Sequence, residues 1–207
     1  MEAILGEELR PGLRTWTAFH DEWDKHVRGF AIVESERLVL IDPLLAGDQW
    51  DALAELRGQS GLDVVLTIHW HARSATEIRK RHPDATVWGF APDREEIEKR
   101  TPVDRTFEAG ETLPGGLVPI AAPPRPEVVL WDPAHAALIA GDVLLGNGEE
   151  GEHLHMAPED WMGGDGSRAR LSEALAPVLG LPVELVLTAH GEMVLGDGDG
   201  ALRAALG

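Results

Sequence analysis

The chain has 207 residues, 36 Asp and Glu against 18 Lys and Arg, a formal charge of −18, and no cysteine. The length supports one domain with a substantial core, and the acidity argues against tracking nucleic-acid phosphates or docking on anionic membranes, which both need Lys and Arg. Without cysteine there are no disulfides, zinc ribbons, iron–sulfur clusters or thiol nucleophiles, so any metal must be held by carboxylates, backbone oxygen or the nine His.

Residues 1–14 lack the basic-then-apolar pattern of a signal peptide, and no apolar run approaches the roughly 18 residues of a membrane span. The expected location is the cytoplasm. The first clear strand runs from Phe30 to Ile41, with a polar break at Glu34–Arg37. Asp48 then caps a helix that ends at Gly58. Asp63–Ile68 reads as a buried strand, and Ser74 with Glu77 matches a capping box for a helix stopped at His82-Pro83. Ala85–Gly89 is a strand, and Asp93 opens another helix by the same capping logic. From Phe107 onward short strands dominate, at Leu117–Ala121, Val128–Trp131 and Ala137–Ala140. Residues 146–166, rich in Gly and acids, read as a long surface loop holding His153 and His155. A helix over Ser167–Leu179, a strand over Val183–Ala189 and a short terminal helix complete a mixed α/β domain over residues 1–207.

Four apolar runs each end in a residue of catalytic type: Asp42, His69, Asp142 and His190. Strand ends of α/β sheets are where ligands bind. In an extended His69-Trp-His71 segment both imidazoles point to one side and can share an ion. Trp16 and Trp70 could wall an apolar pocket or belong to the core.

The order Leu-Ile-Asp42-Pro, Leu-Thr-Ile-His69-Trp-His71, Ala-Gly-Asp142-Val-Leu and Leu-Thr-Ala-His190-Gly, over residues 29–191, resembles the metallo-β-lactamase superfamily. The resemblance implies an αββα sandwich of two mixed sheets with helices on the outer faces. It implies that Asp42 orders the His loop, that a His-x-His-x-Asp-His motif and a late His-Gly hold two metals, and that Asp142 bridges them. Here the motif is depleted to His-Trp-His-Ala-Arg-Ser. Arg73 stands for the motif Asp and Ser74 for its third His. No His precedes Val128, where Glu127 stands; Glu127 reads as solvated and Ser74 as a helix cap.

What remains is a metal set of His69, His71, Asp142 and His190, enough for at most one Zn or Fe ion. Asp142 and Arg73 are the expected catalytic residues, Arg73 by pairing with Asp142 or holding an anionic substrate. Three functions stay open: a single-metal hydrolase of a small ester or thioester, a non-catalytic module binding a small molecule or protein, and an iron oxidoreductase. The expected partner is a small molecule, not nucleic acid or membrane.

Overall fold

Strand-forming sequence starts well before Phe30. In residues 13–20, Leu13, Thr15, Trp16 and Ala18 are buried while Thr17 and Phe19 are exposed, so the strand is part buried and its alternation changes phase between Thr15 and Trp16. The computed structural model describes residues 5–146 and 154–207 and divides into two compact units, Met1–Phe107 and Glu108–Gly207.

The first unit carries a seven-stranded mixed sheet in sequential order. Strands β1 (Glu7–Arg10), β2 (Leu13–His20), β3 (Lys25–Val33) and β4 (Arg37–Ile41) form an antiparallel meander. From β4 the sheet turns parallel through β5 (Gly61–Leu66), β6 (Thr86–Phe90) and β7 (Arg105–Phe107). Parallel neighbours need crossovers. Helices α1 (Gln49–Arg57), α2 (Ala75–Arg81) and α3 (Arg94–Glu98) provide them. Leu38, Leu40, Val64, Leu66 and Val87 from the sheet pack with Leu53, Ile78 and Ile97 from the helices. Nearly all of β5 is buried, as expected for a strand inside a parallel sheet.

Each helix begins where the sequence indicates, yet Asp48, Ser74 and Asp93 make no side-chain cap to it. The Ser74 hydroxyl instead accepts the buried Leu45 N–H at 2.9 Å. The Asp93 carboxylate goes to His69. A buried donor left unmet costs more than a helix end that water can satisfy, so these side chains serve the interior.

The second unit carries a five-stranded sheet ordered β14-β13-β10-β9-β8, from β8 (Val118–Ala121), β9 (Val128–Asp132), β10 (Ala137–Ile139), β13 (Leu185–Leu187) and β14 (Val194–Leu195). Among its described strands, β10 and β13 pair in parallel and the other neighbours antiparallel. A separate ribbon joins β11 (Leu144–Gly146) to β12 (Leu154–Met156). Helices α4 (Ser167–Leu175) and α5 (Gly198–Leu206) contribute Leu171, Leu175, Leu202 and Leu206 to a core with Val129, Leu138 and Val186. The reading of 146–166 as one surface loop is corrected here. His155 lies in β12, and Leu154, Ala157 and Met162 enter the core, a pattern that the surrounding Gly and acids obscure in sequence. His153 lies outside the described residues. Among the described residues, no helix is long and apolar enough to cross a membrane.

Candidate functional site

In the first unit β4 delivers Asp42 into a left-handed backbone conformation, φ 50°, with 1% of its surface exposed. Such strained φ values concentrate at functional sites. One carboxylate oxygen accepts the Thr67 N–H at 2.9 Å. The other accepts the Thr67 hydroxyl at 2.6 Å and faces His71 Nδ1 at 2.8 Å. An ionised carboxylate only accepts, so Nδ1 of His71 carries the proton and Nε2 keeps its electron pair, the arrangement common to metal-ligating and general-base imidazoles.

His69 and His71 do not lie on an extended segment. Residues His69–Ala72 form a 3-10 turn. With three residues per turn, positions i and i+2 face different directions, and each imidazole meets its own carboxylate. For His69 that partner is Asp93, itself 1% exposed. Asp93 accepts the His69 peptide N–H at 2.6 Å and faces Nδ1 at 2.7 and 2.9 Å from its two oxygens. Burial pushes the Asp93 carboxyl above the usual carboxylate range, against the pull of His69.

Arg73 follows the same turn, with φ 25°. It is half-buried rather than on the surface, and Nη1 donates to the carbonyls of Asp42 at 3.0 Å and Arg28 at 3.2 Å. Its guanidinium lies 6.0 Å from the Trp23 ring centre. Burial first, and then the Arg73 charge, hold His20 below its ordinary pKa. Trp16 is buried and donates to the Leu44 carbonyl at 2.7 Å. Trp70 is exposed, its ring 4.1 Å from that of His69 and 4.9 Å from the Arg100 guanidinium.

In the second unit the turn after β10 carries Asp142, whose carboxylate lies 3.2 Å from His190 Nε2. Two residues bring these together. Glu127, expected in solvent, is fully buried and accepts the Asp142 N–H at 2.6 Å, while its other oxygen takes Arg125 at 2.6 Å. Gly191 follows His190 in the left-handed region, φ 76°, and a Cβ there would stand 2.4 Å from the Gly146 carbonyl oxygen. The Gly146 N–H donates to the His190 carbonyl at 3.0 Å. Only glycine permits this approach of two backbones.

The structure thus joins Asp142 with His190, His71 with Asp42 and Thr67, and His69 with Asp93. Thr67, Asp93 and the structural part of Glu127 escaped the sequence reading. Asp93 was detectable, because it closely follows strand β6 just as Asp42 and His69 follow theirs; its position before a helix suggested a cap instead.

No family model matches the sequence, and no curated protein matches it. Solved structures do. The DIM-1 metallo-β-lactamase is 15% identical, with TM-score 0.72, over 97% of this chain and 95% of that one. A metallo-β-lactamase from Pontibacter korlensis is 14% identical with TM-score 0.70, covering 97% of each chain. FIM-1 from Pseudomonas aeruginosa, solved in a mono-zinc form, is 15% identical with TM-score 0.67, over 94% and 90%. The chain therefore has the α/β metallo-β-lactamase fold.

Proposed function

We propose that the chain is a metal-dependent hydrolase that uses one ion to cleave a small ester or thioester. The observation that carries this is the donor chemistry at the strand ends of each unit: in the first, His71 with Nδ1 against the buried Asp42 carboxylate at 2.8 Å, and in the second, Asp142 at 3.2 Å from His190 Nε2. These donors suit Zn²⁺ or Fe²⁺. His69 is the further ligand on this reading. His71 has its Nδ1 occupied by a buried carboxylate, which leaves Nε2 as the electron-pair donor. The mono-zinc FIM-1 shows that a protein of this fold can be isolated with one zinc.

The surroundings support one ion rather than two. Arg73 brings positive charge to the position of a ligand Asp, the Ser74 hydroxyl is engaged by Leu45, and both Glu127 oxygens have donors. When bound, the ion supplies Lewis-acid polarisation of a carbonyl and acidification of water. Asp142 orients the attacking water and accepts its proton. Arg73 binds an anionic group on the substrate, which a chain of charge −18 would otherwise repel. The partner is a small molecule in the cytoplasm.

The test is turnover of an aryl ester and an acyl thioester by Zn²⁺-loaded protein. The proposal expects hydrolysis that chelation abolishes, Zn²⁺ restores and Asp142→Ala removes. Arg73→Ala should raise KM about tenfold (about 1.4 kcal/mol) for carboxylate-bearing substrates and leave neutral ones unchanged. Loaded protein that turns over neither substrate would favour the non-catalytic binding module.

A further inference from the structure

Among the described residues, the Asp93 side chain makes three polar contacts, all with His69. Its oxygens meet the peptide N–H of His69 at 2.6 Å and the Nδ1 edge of the same imidazole at 2.7 and 2.9 Å. With 1% of its surface exposed, it has little water to turn to. It approaches from the end of β6, whereas the carboxylate that serves His71 comes from the end of β4. Two imidazoles two residues apart are therefore fixed by two independent carboxylates from different strands.

We infer that Asp93 is a positioning residue that fixes His69 as the Nδ1–H tautomer and so presents its Nε2 as an unprotonated electron-pair donor. The inference deepens the proposed function, on which His69 offers that nitrogen to the ion. Its logic is donor counting. A carboxylate has two acceptor oxygens and can take the peptide N–H and the ring N–H together. An asparagine has one oxygen and one NH₂. If the oxygen faces the ring, the NH₂ meets the peptide N–H donor to donor. If the oxygen takes the peptide N–H, the NH₂ donates to Nδ1, and the ring proton must move to Nε2. The second arrangement satisfies every group, so Asp93→Asn should invert the tautomer, as it does where an Asp-to-Asn change beside a catalytic His gives the wrong tautomer.

The experiment is a two-bond ¹H–¹⁵N correlation spectrum of histidine-labelled, metal-free protein at pH about 8. Wild type should show His69 protonated at Nδ1. Asp93→Asn should show it protonated at Nε2, with His71 unchanged because Asp42 still holds it. Zn²⁺ affinity should then fall about 10- to 100-fold in Asp93→Asn. A wild-type His69 protonated at Nε2 would overturn the inference without any variant, as would a folded Asp93→Asn whose His69 tautomer equals wild type. Wild type with the Nδ1–H tautomer but no affinity for Zn²⁺ would leave the inference standing and defeat the metal reading.

Discussion

The buried carboxylate of Glu127 accepts the peptide N–H of Asp142 at 2.6 Å, while its second oxygen is held by Arg125. Glu127 thereby sets the turn that carries Asp142. Glu127→Gln keeps one oxygen for the Asp142 N–H and loses charge against Arg125, so it should cost about 1–3 kcal/mol. Glu127→Ala strands a mostly buried Arg125 and should cost about 3–5 kcal/mol. Urea unfolding measures both. Equal stability of the two variants would mean that the carboxylate does not hold the turn.

Ser74 serves Leu45, not its helix. Ser74→Ala leaves the buried Leu45 N–H without its partner and should cost about 1–3 kcal/mol, with faster hydrogen exchange at that amide. Glu77 makes exposed pairs with Lys80 and Arg81, which solvent screens, so Glu77→Ala should leave stability nearly unchanged. A capping box would make the two losses similar.

Gly191 and Gly146 let two backbones meet beside His190. Gly191→Ala combines a positive φ with a contact of 2.4 Å against the Gly146 carbonyl. It should cost about 1–3 kcal/mol and weaken Zn²⁺ binding, because the displaced Gly146 N–H supports the His190 backbone. Gly180→Ala is the control, since a Cβ there meets nothing within 4 Å. Unfolding and Zn²⁺ titration of the pair separate the effects; identical behaviour would contradict this account.

Much of the fold was legible because buried parallel strands are written as apolar runs. Asp63–Ile68 and Ala85–Gly89 fall on β5 and β6, and the polar break at Glu34–Arg37 falls between β3 and β4. The first hairpin was not, because β1 is made of Glu and Arg around one Leu with no residue fully buried, and the burial of β2 does not keep to alternate positions. Strand ends revealed Asp42, Asp142 and His190, since rigid sheets place polar residues there. Local rules failed where a side chain had a distant, buried client. Ser74 and Asp93 stand where caps stand, but their partners are 29 and 24 residues away. Glu127 follows Pro-rich sequence and looks solvated, and nothing nearby in sequence announces Asp142, 15 residues on.

His82 gives the stability a pH dependence of known sign. Burial, and then Arg57, hold its pKa below the ordinary 6.5, and Arg81 adds to this while Asp84 opposes it. The Arg57 guanidinium lies 2.7 Å from Nδ1, which must be unprotonated to accept it. The folded state therefore binds fewer protons than the unfolded chain, and its stability is lost as pH falls through about 6.5. Tm should drop between pH about 7.5 and 5.5, and His82→Gln should flatten that slope. An unchanged slope would exclude His82 as its source; His20, also held low by burial, supplies a remainder.

The proposed function requires a single ion held by His69, His71, Asp142 and His190. Its most direct test is metal content of protein purified without a His tag or chelator, measured by plasma mass spectrometry after adding Zn²⁺ and desalting. The account predicts close to one equivalent in wild type and near none in His71→Ala. Less than about a tenth of an equivalent in wild type, or two equivalents, would contradict it.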